Sequence, residues 1–138
     1  MCKSIEQRFQ DCGAIEIING ALWDASVNVP FVEDNDNMAG SYVSNNGNDY
    51  VKGVAIDDLG AEKITFIKMD IEGSELRALK GAKKTIIRDN PKLAICIYHK
   101  PWDVYEIAEY ILSIVPDYKL FIRHYDYYPQ ETVLYAVK

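Results

Sequence analysis

Asp70 and Glu72 stand two residues apart, directly after an apolar run at 64–69 and directly before Gly73. His99 ends a second apolar run at 93–98, and His124 follows a third at 118–123. Carboxylates and imidazoles at such positions are suited to moving protons. An unperturbed histidine titrates near neutrality, and a positioned base assists attack by a hydroxyl. His99 is therefore the first candidate base, and Asp70 the second. Glu72 is placed to orient an acceptor or to hold the turn. Gly73 permits a tight turn and close approach of a ligand, at a helix start whose free N–H groups suit a negative group. The plainer alternative makes Gly73 a turn residue, with Glu72 and Glu75 complementing the helix dipole. A metal-dependent hydrolase built on Asp70, Glu72 and His99 competes, but the trio lacks a defined ligand spacing. The expectation is no resident metal.

These residues need elements to hold them. The run 64–69 (ITFIKM) reads as a strand buried on both faces. A helix is expected over 74–88, with Leu76, Leu79, Ala82 and Ile86 on one stripe and Asn90-Pro91 as its stop. Residues 93–98 (LAICIY) form the second strand. Asp103 reads as the N-cap of the next helix, with Glu106 as its capping-box partner and Pro116 as its end. Strands follow at 118–123 and 132–137, the last pair too closely linked for a crossover and hence antiparallel. The order β-α-β-α-β-loop-β implies a mainly parallel sheet with right-handed crossovers. Ligands in such sheets bind beyond the carboxyl ends of the strands. That rule brings Asp70, Glu72, His99 and the loop carrying His124, Tyr125, Tyr127 and Tyr128 to one rim. Loop tyrosines, and Tyr98 beside His99, have the aromatic faces to stack on an acceptor.

Upstream, 14–22 reads as a strand followed by Trp23 and Asp24, and 27–32 as a short edge strand limited by Pro30. Residues 33–49 are rich in Asn, Asp, Gly and Ser and read as a long loop or flap. Asp34-x-Asp36 lacks the glycine and terminal glutamate of a calcium loop.

The 138 residues suit one domain, and the net charge of -6 with no basic cluster argues against nucleic acid. Three cysteines in no ligand spacing, no apolar signal core and no membrane-length run make cytoplasmic the expected location.

The block Ile67-Lys68-Met69-Asp70-Ile71-Glu72-Gly73-Ser74-Glu75, followed by Leu79-Lys80-Gly81-Ala82, resembles the signature of the FkbM-type methyltransferase family. Val54-Ala55-Ile56-Asp57-Asp58-Leu59 and Pro91-Lys92-Leu93-Ala94-Ile95-Cys96-Ile97-Tyr98-His99 are similar to the family's flanking segments. The resemblance is close from residue 51 to 138 and loose before it. It implies a Rossmann-like class I α/β fold and O-methyl transfer from S-adenosylmethionine to a hydroxyl of a sugar or other small molecule. It also implies cofactor contacts for Asp70, Gly73, Trp23 and Asp24, and acceptor contacts for Tyr98, His124, Tyr125 and Tyr127.

The departures matter as well. The chain has no Gly-x-Gly pair, so the glycine-rich turn of such a donor site is missing, as is an acidic end to a second strand. The expected sheet order of the superfamily is 3-2-1-4-5-7-6, and the chain reads as starting in the helix before strand 3, at 2–10. The expectation is thus an N-terminally truncated domain without strands 1 and 2. It should bind the donor weakly and expose an edge of strand 4, a template for another copy. A non-catalytic relative that dimerises through that edge is the alternative function.

Overall fold

A computed structural model describes residues 2–9, 12–32, 42–44, 47, 49–127 and 130–138. The expected flap lies mostly outside these residues, as do Tyr128 and Pro129.

The chain opens with α1 (Cys2–Phe9), at the position expected for a helix. Four strands follow: β1 (Ala21–Leu22), β2 (Asn28–Val32), β3 (Tyr42–Val43) and β4 (Asp49–Val54). They form a sheet in the order β1-β4-β2-β3, with β1 parallel to β4 and the other pairs antiparallel. The strand expected over 14–22 is corrected to its last two residues. Ile15 and Ile18 are exposed, and a strand without a ladder partner leaves its backbone groups to water. Pro30 sits within β2, where its carbonyl accepts the Ser44 N–H at 3.1 Å.

A short 3-10 turn (Ile56–Asp58) leads to the second sheet. This contains β5 (Phe66–Met69), β6 (Lys92–Cys96), β7 (Lys119–His124) and β8 (Thr132–Val137), in the order β5-β6-β8-β7. β5 and β6 are parallel, while β8 pairs antiparallel with both β6 and β7. β7 therefore runs in the direction of β5 and β6, as expected, but its return strand lies between. The sheet is mixed: β5, β6 and β7 run one way, and β8, the antiparallel strand of the expected C-terminal hairpin, lies between β6 and β7.

Three helices cover one face of this sheet: α2 (Glu75–Lys80), α3 (Lys83–Asp89) and α4 (Asp103–Ile114). Met69, Leu79, Ile86, Leu93, Ile95, Ile107, Ile111 and Leu134 close the core between them. The alternate residues of the strands face the other way. Phe66 on β5 is 54% exposed and Phe121 on β7 is 52% exposed, so β5 is not buried on both faces as its composition suggested. A small cluster of Ala94, Cys96 and Val133 lies under Tyr98 and Tyr135 on that side.

The single helix expected over 74–88 is two helices. A Cβ at Gly81 would collide with the Trp23 carbonyl, so the chain passes this point in close backbone contact. The Gly81 carbonyl accepts the Asp57 N–H at 2.9 Å. The Asp57 carboxylate in turn accepts from the Lys84 and Thr85 N–H groups at 3.0 and 2.8 Å, capping α3 from a distant segment. Asp103 is likewise corrected from N-cap to first helical residue. It turns its buried carboxylate back to the Lys100 N–H at 3.1 Å, and Glu106 stays exposed.

Candidate functional site

β5 and β6 end side by side, and the turn after β5 carries the residues that meet there. Glu72 and Gly73 both adopt positive φ, 55° and 85°. The left-handed region is easy for glycine and costly for a glutamate. Such strain concentrates where side chains are held for a purpose. Here the turn aims Glu72 back across the strand ends toward His99. The loop after β6 braces it, because the Lys100 ammonium donates to the Gly73 carbonyl.

Just past the end of β6, Tyr98 and His99 lie with their rings 4.1 Å apart. Tyr98 follows Ala94 and Cys96 to the uncovered face, where its hydroxyl donates to Asp70 Oδ1 at 2.9 Å. His99 follows Leu93, Ile95 and Ile97 to the helical side, with only 9% of its side chain exposed. Its Nδ1 lies 3.0 Å from Glu75 Oε1. Its Nε2 lies 3.6 Å from Asp70 Oδ1 and 3.5 Å from Glu72 Oε2. The Glu75 contact is close enough to pair charges but too oblique for an aligned hydrogen bond. Proximity rather than alignment governs the charge coupling.

Glu75 is the first residue of α2 and is fully buried. Its Oε1 accepts the Ile71 N–H at 2.9 Å, while its Oε2 has no hydrogen-bond partner. Burial alone would raise its pKa, but His99 and the Ile71 N–H outweigh this and hold the carboxyl below its ordinary value. Burial opposes the charged form of His99, yet Glu75, then Glu72 and Asp70, hold its pKa above the usual histidine range. Both directions describe one imidazolium facing three carboxylates. Nearby, burial and then Asp70 push the Cys96 thiol up to about 12, so this cysteine is not a nucleophile.

The structure thus brings together Asp70, Glu72, Gly73, Tyr98 and His99 from the sequence-based set. His124 ends β7, 2.8 Å from Thr132 Oγ1, and Tyr125 meets the Tyr135 hydroxyl at 2.8 Å, while Tyr127 is 95% exposed. None of the three contacts the His99 cluster through these bonds. Trp23 and Asp24 are engaged by α2 instead. The Arg77 guanidinium lies 5.0 Å from the Trp23 ring and 2.5 Å from the Asp24 carboxylate.

Glu75 and Lys100 were not singled out in the sequence as partners of His99. Glu75 read as an ordinary acidic residue of a first helical turn, and Lys100 carried no distinguishing signal. Asp70, Glu75 and His99 also offer atoms within 4.8 Å of one another, near enough for one small cation. The Ile71 N–H engages Glu75 Oε1 and His99 Nδ1 lies 3.0 Å from it, while Glu75 Oε2 and both ring nitrogens lack a hydrogen-bond partner among the described residues. Among the described residues, no helix is long and apolar enough to cross a membrane.

The profile of the "Methyltransferase FkbM domain" matches residues 10–128 of the chain. A crystal structure of methyltransferase FkbM from Methylobacillus flagellatus KT is similar over 97% of this chain, with a TM-score of 0.71 and 34% identity. The chain covers 32% of that protein, about a third of its length. No curated protein matches the chain. The family match spans most of the sequence and includes the turn that carries Asp70, Glu72 and Glu75, and the chain belongs to the FkbM methyltransferase family.

Proposed function

We propose that the chain forms the acceptor-side rim of an S-adenosylmethionine-dependent O-methyltransferase that acts on a hydroxyl of a small molecule or sugar. The observation that carries this reading is His99 Nε2, held among Asp70 and Glu72 where parallel β5 and β6 end. The order β5-β6-β8-β7 supports the class I assignment, since it corresponds to 4-5-7-6 of the Rossmann-like order.

The donor, when bound, supplies an activated methyl group. Its cationic end suits the negative rim of Asp70 and Glu72. Gly20, Gly53 and Gly81 press against the chain's own atoms and so do not form a glycine cradle for its adenosine end. The residues present therefore fit part of the donor. What the chain contributes is proton handling. Nε2 of the neutral form of His99, which is populated above its raised pKa, is placed to take the proton that a hydroxyl acceptor gives up and to pass it to solvent. Tyr98 steadies Asp70 at the same edge.

The test uses methyl-labelled S-adenosylmethionine with a panel of hexosides and phenols. The expected result is label transfer by the FkbM protein containing this segment, reduced about 10²-fold or more by His99→Gln. Transfer unchanged by that substitution would remove His99 from the reaction. Calorimetry on the 138-residue chain alone should show weak or no donor binding, and micromolar affinity would contradict the partial fit.

A further inference from the structure

Glu75 is a full charge placed where nothing of its own needs it. Acidic side chains are almost never fully buried unless paired. A buried ion pair adds little stability over well-packed apolar residues. Stability alone therefore does not account for Glu75. Its geometry does more: it splits the His99 ring into an inner and an outer nitrogen. Nδ1 faces Glu75, 3.0 Å away inside the protein. Nε2 faces Asp70 and Glu72, at the rim. Glu75 is itself fixed at both ends, by the start of α2 and by the Ile71 N–H that it accepts.

A histidine's two nitrogens are not equivalent, and the partner of one decides the protonation of the other. A carboxylate behind a catalytic imidazole sets its tautomer and stabilises the charged ring, without taking the proton itself. We propose that Glu75 is a positioning residue that keeps the proton of neutral His99 on Nδ1, so that Nε2 is the nitrogen presented to the rim. This deepens the reading of His99 as the base and rests on it. The Glu75 contact is oblique as it stands, and catalytic hydrogen bonds commonly tighten only when substrate is bound.

The groups facing His99 are Asp70, Glu72 and Glu75 from the β5–α2 side, and Tyr98, Lys100 and Asp103 from the β6–α4 side. Among the described residues, only Glu75 addresses Nδ1. That separates its effect from the general negative charge of the rim.

The experiment needs no turnover. The chain has two histidines, so ring-nitrogen NMR of the full 138 residues resolves both, with His124→Gln to assign them. The expected spectrum above the His99 midpoint shows a protonated Nδ1 and a bare Nε2. Glu75→Gln should move the His99 midpoint to lower pH, and by more than Glu72→Gln does. A neutral wild-type ring protonated at Nε2 overturns the proposal. So does a larger midpoint change from Glu72→Gln than from Glu75→Gln. If Glu75→Gln does not fold, the wild-type tautomer decides alone. A protonated Nδ1 supports the assignment whether or not the protein transfers methyl groups, so failure of the methyltransferase reading shows separately, in the label-transfer assay.

Discussion

The two faces of the β5-β6-β8-β7 sheet have similar strands and opposite surroundings. On one, Ile95 and Leu134 are completely buried under α2, α3 and α4. On the other, Phe66 and Phe121 stand more than half exposed, and only Ala94, Cys96 and Val133 are enclosed. An apolar strand records what it is able to bury, while the layers around it decide what it does bury. At the strand ends the two sides meet. Tyr98 packs beside the open-face cluster and His99 beside Glu75, yet their rings lie 4.1 Å apart and both reach Asp70 Oδ1. The Glu75 end of the histidine belongs to the well-packed side, where a carboxylate can be kept from water.

The sharpest way to break this comparison is by truncation on each face. Leu134→Ala should cost about 2–5 kcal/mol, the range for buried leucine truncations, and Phe121→Ala less than about 1 kcal/mol. Urea denaturation measures both, and equal losses would mean that the faces are equivalent.

The next effect is a pH dependence confined to the helical side. The His99 pKa is raised in the folded chain, so its contribution is complete below its unfolded value and disappears as pH rises through the folded one. The Glu75 pKa is lowered, so its contribution is complete above its unfolded value and disappears as pH falls through the folded one. The stability gap between the wild type and His99→Gln should be widest from pH 4.5 to 6.5, the two reference values, and narrow on either side. Thermal melts across pH 3–9 (about one unit per step) show it. A flat gap would mean that the two groups do not form a charged pair.

The smallest effect is on the open face. Tyr98→Phe removes the hydroxyl that donates to Asp70. In this exposed setting the loss should be about 0.5–1 kcal/mol by denaturant unfolding. A larger loss would show that the open face carries more of the fold than its burial implies.

The sequence made some of this readable and hid the rest, for identifiable reasons. β8 lies where the apolar alternation placed it, at Thr132–Val137, because turn residues bound it on one side. Asp70, Glu72 and His99 meet because strand ends in parallel register are neighbours whatever covers the sheet. The break at Gly81 was concealed by the stripe Leu76, Leu79, Ala82 and Ile86, which keeps helical spacing straight through it. At the break, the Gly81 carbonyl is taken by the Asp57 N–H and the Trp23 backbone packs close by, both contacts between distant segments. The early strand over 14–22 failed in the opposite way. Its residues have the right types, but only Ala21 and Leu22 find a ladder neighbour, in β4. Glu75 looked like an ordinary acidic residue in a first helical turn. Its burial follows from how α2 packs beside the end of β6, which no local pattern records.

The cap that Asp57 places on α3 has a kinetic consequence. A helix nucleus is costly, and costlier when its first N–H groups lack acceptors. Those of Lys84 and Thr85 find theirs in a residue 27 and 28 positions earlier in the chain. Closing a loop of that length costs about 3 kcal/mol of entropy, apart from a constant. α3, with seven residues, should therefore form later in assembly than α4, whose 12 residues depend less on such a closure. The seam at Gly81 ties the helical layer to the segment leading from the first sheet, so loosening that segment should loosen the start of α3 as well.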